Sequence, residues 1–248
     1  MIETTHGDGQ CVITLNRPDK ANALTAPMLE ALERALIEAE AAGLRVVVLT
    51  GAGKVFSAGA DLEAARNGGL TTHPVWERVS SRIAGYPGLT VAALNGTCAG
   101  GALGMMLACD LRVAVPTAKV FYPVLKNGFL PQPSDPPRLA ALCGVSRAKM
   151  ILLGGAKVAA ETALSWGLFD RIAAPEELME AVDGFTVDAK GASPGLLAQI
   201  KALCHGDQPG RDRPGPSPAP AMQRHPQPLG TEAVFTASAP SAEQDTGR

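Results

Sequence analysis

Val91-Ala92-Ala93-Leu94-Asn95-Gly96-Thr97-Cys98-Ala99-Gly100-Gly101-Ala102-Leu103-Gly104-Met105-Met106-Leu107-Ala108-Cys109-Asp110 is the stretch on which the fold turns. An apolar run over Thr90–Leu94 enters Asn95-Gly96 and reads as a strand, and Gly100-Gly101 opens a small-residue helix over Ala102–Cys109. The first N–H groups of such a helix have no intrahelical partner and carry the positive end of its dipole. A glycine pair there lets a ligand approach the backbone closely. The competing reading is close helix packing, and Met105 and Met106 are expected to be core filler.

Outward from this segment, strand and helix patterns alternate. Arg45-Val46-Val47-Val48-Leu49-Thr50 is a β-branched run bounded by Gly43 and Gly51, as in a strand covered on both faces. Val75, Val79 and Ile83 recur at helical spacing in a helix closed by Ser80–Tyr86, and Leu111–Val115 is a further strand. Upstream, apolar runs at Met1–Thr4 and Cys11–Leu15 flank a hairpin turn at His6-Gly7-Asp8-Gly9. Thr25 and Pro27 then open an amphipathic helix reaching Ala41, with Met28, Leu29, Leu32, Leu36 and Ala39 on one face. Alternation of this kind predicts an α/β architecture with parallel strands and crossover helices. After Val145 helical segments are expected at Ala148–Leu153, Ala159–Trp166 and Glu176–Val182, with a short strand at Phe169–Ile172.

A second glycine-flanked loop, Gly51-Ala52-Gly53-Lys54-Val55-Phe56-Ser57-Ala58-Gly59-Ala60-Asp61-Leu62, follows the buried strand and leads into a helix beginning near Asp61. Three familiar signatures fail on it. Phe56 stands where a dinucleotide fingerprint needs its third glycine, Val55 where a P-loop needs Ser or Thr, and the same Val55 where a nucleophile elbow needs glycine. What remains is a turn able to expose a backbone N–H at a helix start. The residues alone favour a purely structural strand-to-helix turn.

The chain has 248 residues, 46% hydrophobic and 19% charged, enough to bury one sizeable core and too apolar to be disordered throughout. A net charge of −2 gives no electrostatic reason to expect nucleic acid or an anionic membrane as partner. Cys11, Cys98, Cys109, Cys143 and Cys204 are dispersed and form no CxxC pair, and His6, His73, His205 and His225 show no metal-ligand spacing. No metal site or disulfide framework is expected. With no leader-like N-terminus and no apolar run near the ~18 residues that span a bilayer, the expectation is an unexported cytoplasmic protein. From Gly206 the composition turns rich in Pro, Gly, Arg, Gln and Ser, so 206–248 is expected to be a disordered or degenerate tail.

Taken together, five segments resemble the crotonase (enoyl-CoA hydratase/isomerase) superfamily over roughly Asn16 to Ile172. They are Asn16-Arg17-Pro18-Asp19-Lys20-Ala21-Asn22-Ala23-Leu24, the Phe56–Leu62 loop, Asn95–Asp110, Pro131 with Arg138-Leu139, and Ala159–Ile172. The resemblance implies a spiral of β-β-α turns with parallel sheets and covering helices, over residues 1–173, followed by a partial helical region at 174–205. It implies an acyl-CoA thioester as partner, with coenzyme A part of the substrate and no separate cofactor. It further implies that the backbone N–H groups of Ala60 and Gly101 hold the thioester oxygen. Contact positions implied are Lys20, Ala21, Ala23, Ala58, Ala60, Asp61, Leu62, Gly100, Gly101 and Val124. A homotrimer or dimer of trimers is implied as well, if the C-terminal region permits.

The sequence also departs from that pattern. The family's hydratases carry one glutamate six residues before the aspartate matched by Asp110 and another fourteen after it, following a proline. Those positions hold Gly104 and Val124, the latter after Pro123. A third position, four residues after Gly128, is aspartate in some members and Gln132 here. A positioned acid or base is worth ~10²–10⁴-fold, so efficient water addition is not expected. Asp135 is the foremost substitute acid or base, against a competing reading as a helix or turn cap before Pro136. Lys126, Tyr122, Glu63 and His73 rank below it. Three functions stay open: a non-hydratase acyl-CoA enzyme of the lyase or isomerase class, a non-catalytic acyl-CoA binder, and a poorly folded relic.

Overall fold

The chain opens with a hairpin. Strands β1 (Ile2–Gly7) and β2 (Gln10–Leu15) pair antiparallel around Asp8-Gly9, whose φ values of 51° and 74° suit a two-residue type I′ turn. Pairing runs right up to the turn, so both strands are longer than the apolar runs alone suggest. Helix α1 (Ala26–Ala41) follows, its N-terminus capped where Thr25 Oγ1 accepts the Met28 N–H at 3.4 Å. The computed structural model describes residues 1–67 and 69–204, and the expected tail at 206–248 lies outside the described residues.

A repeated pattern then winds the chain into a spiral. Strand β3 (Val46–Gly51) joins one sheet, β4 (Val55–Ser57) a second, and α2 (Leu62–Asn67) and α3 (Val75–Ala84) return the chain. Next come β5 (Leu89–Leu94), β6 (Thr97–Ala99) and α4 (Ala102–Ala108). The third turn uses β7 (Leu111–Ala114), β8 (Lys119–Phe121) and the helices α5 (Val124–Asn127), α6 (Asp135–Cys143) and α7 (Val145–Leu152). After β9 (Val158–Ala159), α8 (Ala160–Ser165) and β10 (Arg171–Ile172), helices α9 (Leu178–Gly191) and α10 (Pro194–Cys204) end the described chain.

The larger sheet has the order β1-β2-β3-β5-β7-β10, parallel from β2 onward, and the smaller one β4-β6-β8-β9 is parallel except at β9. Each passage between sheets needs a sharp corner. At Gly96 the approach is so close that a Cβ would lie 2.0 Å from the Lys54 carbonyl oxygen. Beside it Asn95 accepts the Gly51 N–H and donates to the Gly53 carbonyl, locking adjacent corners together.

Helix α4 is buried along its whole length, with Met105 and Met106 in the core as expected. Helix α6 starts earlier than the residues after Val145 suggest. Asp135-Pro136-Pro137 reads as a turn, yet prolines suit a helix's first turn, where no N–H is needed. No helix among the described residues is long and apolar enough to cross a membrane.

Candidate active site

Asn22 organises the first wall of the site. Its fully buried side chain donates to the Ala52 and Val55 carbonyls at 2.9 and 2.7 Å and accepts the Arg17 N–H at 2.9 Å. These bonds hold Ala21 and Asn22 in consecutive left-handed conformations, φ 50° and 53°. The chain from Ala21 to Leu24 is thereby laid parallel to Ala58–Asp61: Ala58 donates to Ala21, Leu24 to Gly59, and Asp61 back to Leu24. Lys20 is exposed at the start of this segment, and Leu62 is exposed at the far end of its neighbour.

Asp61 is a fastening point. It accepts from Glu63 and Ala64 at the start of α2 and pairs with Arg17 at 2.7 Å. The Ala64 N–H first, then the Arg17 guanidinium, holds its carboxyl below the ordinary range.

The second wall is Ala99-Gly100-Gly101, where β6 turns into α4. Gly59 brings the walls together. Its φ is +91°, and a Cβ there would lie 2.6 Å from the Ala99 oxygen and 3.2 Å from the Gly101 nitrogen.

Donor accounting at this junction is informative. The N–H groups of Ala58, Gly59, Asp61 and Gly100 go to Ala21 O, Ser57 Oγ, Leu24 O and Phe121 O. Those of Ala60 and Gly101 donate to no atom among the described residues. For Ala60 the ladder gives the reason: in a parallel bridge with Leu24, the bonds come from residues 59 and 61, so the Ala60 N–H faces the other way. For Gly101 the reason is its place at the α4 N-terminus. Two free donors on adjoining loops can together stabilise an oxygen that gains negative charge.

Beside them opens a cavity of about 130 Å³, lined by Ala58, Ala60, Leu62, Ala65, Gly100, Gly101, Trp76, Phe121, Tyr122, Val124, Phe129, Leu130 and Gln132, with a few small or polar neighbours. Trp76 explains why residue 101 has no side chain, since a Cβ there would sit 3.0 Å from its ring. The indole N–H is anchored on the Leu70 carbonyl at 2.8 Å. Gln132 is nearly buried and donates to the Thr71 carbonyl, tying the 70–72 turn to the loop after Pro131. Val124 keeps an apolar face toward the cavity, whereas Lys20, Ala21, Ala23, Asp61 and Asp135 are not among its lining residues. Trp76 and Phe129 escape a reading of the sequence, because an aromatic beside a helical stripe looks like ordinary core and one in a loop after a short helix follows no pattern.

Position 104 is not vacant space. A Cβ on Gly104 would lie 2.6 Å from Asp135 Oδ1 and 3.1 Å from Oδ2, so the carboxyl of α6 fills the place where a residue-104 side chain would start. Asp135 does not cap the helix, contrary to the competing expectation. Ser134 is the N-cap, and Pro136 and Pro137 have no N–H to offer. Instead Asp135 Oδ2 accepts the Tyr122 hydroxyl at 2.9 Å, while buried Oδ1 has no partner among the described residues. Burial first, and then the Glu77 carboxylate, raises the Asp135 carboxyl to about 7, against the lowering pull of Tyr122 and Arg138.

This has a consequence for stability. Between about pH 4 and 7 folded Asp135 holds a proton that the unfolded chain, titrating near 3.8, has lost. Unfolding there releases a proton, so the contribution of Asp135 to stability falls as pH rises through this window and is flat above it. Asp135→Asn can still accept from Tyr122 and carries no such charge. Its stability is expected to match the parent's near pH 4 and to exceed it increasingly up to pH 7, by an amount approaching roughly 4 kcal/mol, read as a widening gap between the two melting temperatures. Parallel melting curves across pH 4–8 would count against a raised Asp135.

The sheet order, the spiral and the paired loops define a protein of the crotonase fold. A family model for enoyl-CoA hydratase/isomerase matches residues 5–207, and the chain belongs to that family. It is 34% identical over 207 residues to the Bacillus subtilis (strain 168) protein provisionally named enoyl-CoA hydratase/isomerase YngF, covering 81% of this chain and 80% of that one. The solved structure of Pseudomonas aeruginosa PA4980 superposes with a TM-score of 0.76 at 32% identity, over 85% of this chain and 93% of that one. An enoyl-CoA hydratase subunit from Geobacillus kaustophilus HTA426 gives 0.76 at 30%, over 83% and 81%.

Proposed function

We propose that this chain binds a short-chain acyl-CoA thioester with its carbonyl oxygen between the Ala60 and Gly101 N–H groups and catalyses a reaction other than hydration. The observation that carries the reading is the donor accounting: of the N–H groups of Ala58–Asp61 and of Gly100-Gly101, those of Ala60 and Gly101 have no acceptor among the described residues. The acyl group enters the cavity beside them. At about 130 Å³ it is close to the ~150 Å³ that holds a benzene, which argues for a chain of few carbons. The rest of coenzyme A runs from the cavity wall at Ala58–Leu62 to Lys20–Ala23, and no separate cofactor enters the reaction.

Hydration needs a group that takes a proton from the attacking water and a group that delivers one to the neighbouring carbon. Val124 is apolar and Gly104 has no side chain, so isomerisation, decarboxylation or thioester cleavage fits better. The buried, apolar Val124 also favours a second reading, a binder without turnover. Buried, unpaired Cys11, Cys98, Cys109 and Cys143 support a reducing cytoplasmic setting. Exposed Leu196, Ile200 and Leu203 on α10 support assembly into a trimer or dimer of trimers.

Calorimetry with acetyl-, butyryl-, crotonyl- and octanoyl-CoA, followed by mass analysis of the products, tests the proposal. Binding of the four-carbon thioesters without hydration of crotonyl-CoA is expected. Failure of all four to bind, or rapid formation of 3-hydroxybutyryl-CoA, would overturn it.

A further inference from the structure

Among the described residues lining the cavity, Tyr122 is the one titratable side chain; the rest are apolar, glycine, proline, or the neutral polar residues Thr71, Asn127 and Gln132. Its hydroxyl is bonded at 2.9 Å to Asp135, which is itself 1% exposed and absent from the lining. The Asp135 carboxyl stands where a side chain on residue 104 would begin. Gly101 and Gly104 share one face of α4, three residues apart, so this carboxyl sits a helical turn beneath the free Gly101 N–H. A buried acid, a cavity-lining phenol bonded to it, and two donors for an oxyanion therefore border the same site.

From this juxtaposition we infer that Tyr122 and Asp135 form a proton relay into the cavity, which would serve the isomerisation already proposed by moving a β,γ double bond of an enoyl thioester to the α,β position. The inference rests on the acyl-CoA reading above. Tyr122 is the group that meets substrate; Asp135 acts through it as a positioning residue and proton store.

The chemistry closes without water, cofactor or oxidant. The C2–H bond of a 3-enoyl thioester breaks and its proton goes to Tyr122 Oη, while the tyrosine's own proton passes to ionised Asp135 Oδ2. The electron pair left on C2 delocalises through the C3–C4 double bond and onto the thioester oxygen, which the Ala60 and Gly101 N–H groups hold. The relay then reverses. Asp135 returns its proton to Tyr122 as Tyr122 delivers one to C4, and the pair on oxygen reforms the carbonyl with a C2–C3 double bond. One shuttling proton suffices, which is why a single relay suits isomerisation.

The surroundings favour a store that gives and takes a proton near neutrality. Facing Asp135 are Glu77 from α3, whose Oε2 is buried without a partner among the described residues, Arg138 from α6 itself, Tyr122 after β8, and Cys98 of β6. Burial pushes the Cys98 thiol and the Tyr122 phenol up, so both stay neutral and leave Asp135 as the group that titrates. Arg138 is held by Ser80 and Ser134, and Ser80 in turn by the Gly104 carbonyl, which fixes the carboxyl's neighbours on three helices.

The test uses the full chain and 3-butenoyl-CoA, with affinity measured by calorimetry and conversion to crotonyl-CoA followed by absorbance. The parent protein is expected to isomerise it, with kcat rising through about pH 7 as Asp135 ionises. Tyr122→Phe is expected to lower kcat at least 100-fold with Kd within threefold. Asp135→Asn is expected to do the same and to abolish the pH-dependent rise; should that variant not fold, Tyr122→Phe and the parent's pH profile decide alone. Binding without isomerisation, a Tyr122→Phe rate within threefold of the parent, or a flat profile between pH 6 and 8 overturns the relay while leaving the thioester reading intact. Absence of binding overturns both.

Discussion

Gly59→Ala is expected to lower affinity for butyryl-CoA at least 100-fold and to lower the melting temperature measurably. The added Cβ would lie 2.6 Å from the Ala99 carbonyl oxygen and 3.1 Å from the Gly100 Cα, both backbone atoms that no rotamer change can move aside. Overpacking of this kind costs ~1–3 kcal/mol, and forcing alanine to φ +91° adds ~1–2 kcal/mol. The cheapest relaxation separates the two loops, and that separation also parts the Ala60 and Gly101 donors. Gly43→Ala makes the comparison sharp: Gly43 also has a positive φ, +68°, but a Cβ there meets nothing within 4 Å. That variant is expected to lose stability through strain alone and to bind butyryl-CoA as the parent does. Thermal melts and calorimetry on both variants read the two effects separately. If Gly59→Ala binds within threefold of the parent, the close contact of the loops is not what builds the site.

Much of the fold is legible in the residues, and the legible parts share a physical cause. The β-branched run at Val46–Leu49, the Met28–Ala39 stripe and the Thr25 cap each repeat a pattern over a turn or more, so period and capping chemistry reveal them. The smaller sheet does not announce itself, because β4, β6, β8 and β9 have only two or three residues each. A strand that short shows no alternation, and its existence depends on partners distant in sequence.

The site divides in the same way. Glycines at 59, 100 and 101 mark close backbone approach on sight, and that positions 104 and 124 hold no carboxylate is read directly off Gly104 and Val124. What fills the space beside Gly104 is not countable. Asp135 lies thirty-one residues from Gly104 in sequence, and its meeting with that position follows from how α6 packs beside α4. The two prolines after Asp135 are the one local hint, since they deny its carboxyl the N–H groups a capping residue would use. Tyr122, similarly, is one of four lesser ionisable candidates in the sequence until its hydroxyl is seen to end on a buried acid.

Ala60→Pro isolates the Ala60 donor from the shape of the site. Because Leu24 is bridged through the Gly59 carbonyl and the Asp61 N–H, proline at residue 60 removes no ladder bond. The preceding residue is glycine, which tolerates the restriction proline places on its neighbour. The variant is therefore expected to fold, to retain the cavity, and to lose one of two donors. Removal of one such donor slows a reaction ~10²–10³-fold, and the same drop is expected here in any turnover of 3-butenoyl-CoA. A spectroscopic reading serves even if turnover is absent. A thioester carbonyl held by two N–H groups is polarised toward C–O⁻, so its ¹³C-labelled stretch in bound butyryl-CoA is expected below that of the free ligand in the parent. In Ala60→Pro most of that displacement should vanish, while Ala60→Gly, which keeps the N–H, should preserve it. An unchanged carbonyl frequency in Ala60→Pro, with the ligand demonstrably bound, would place the thioester oxygen elsewhere and remove Ala60 from the chemistry.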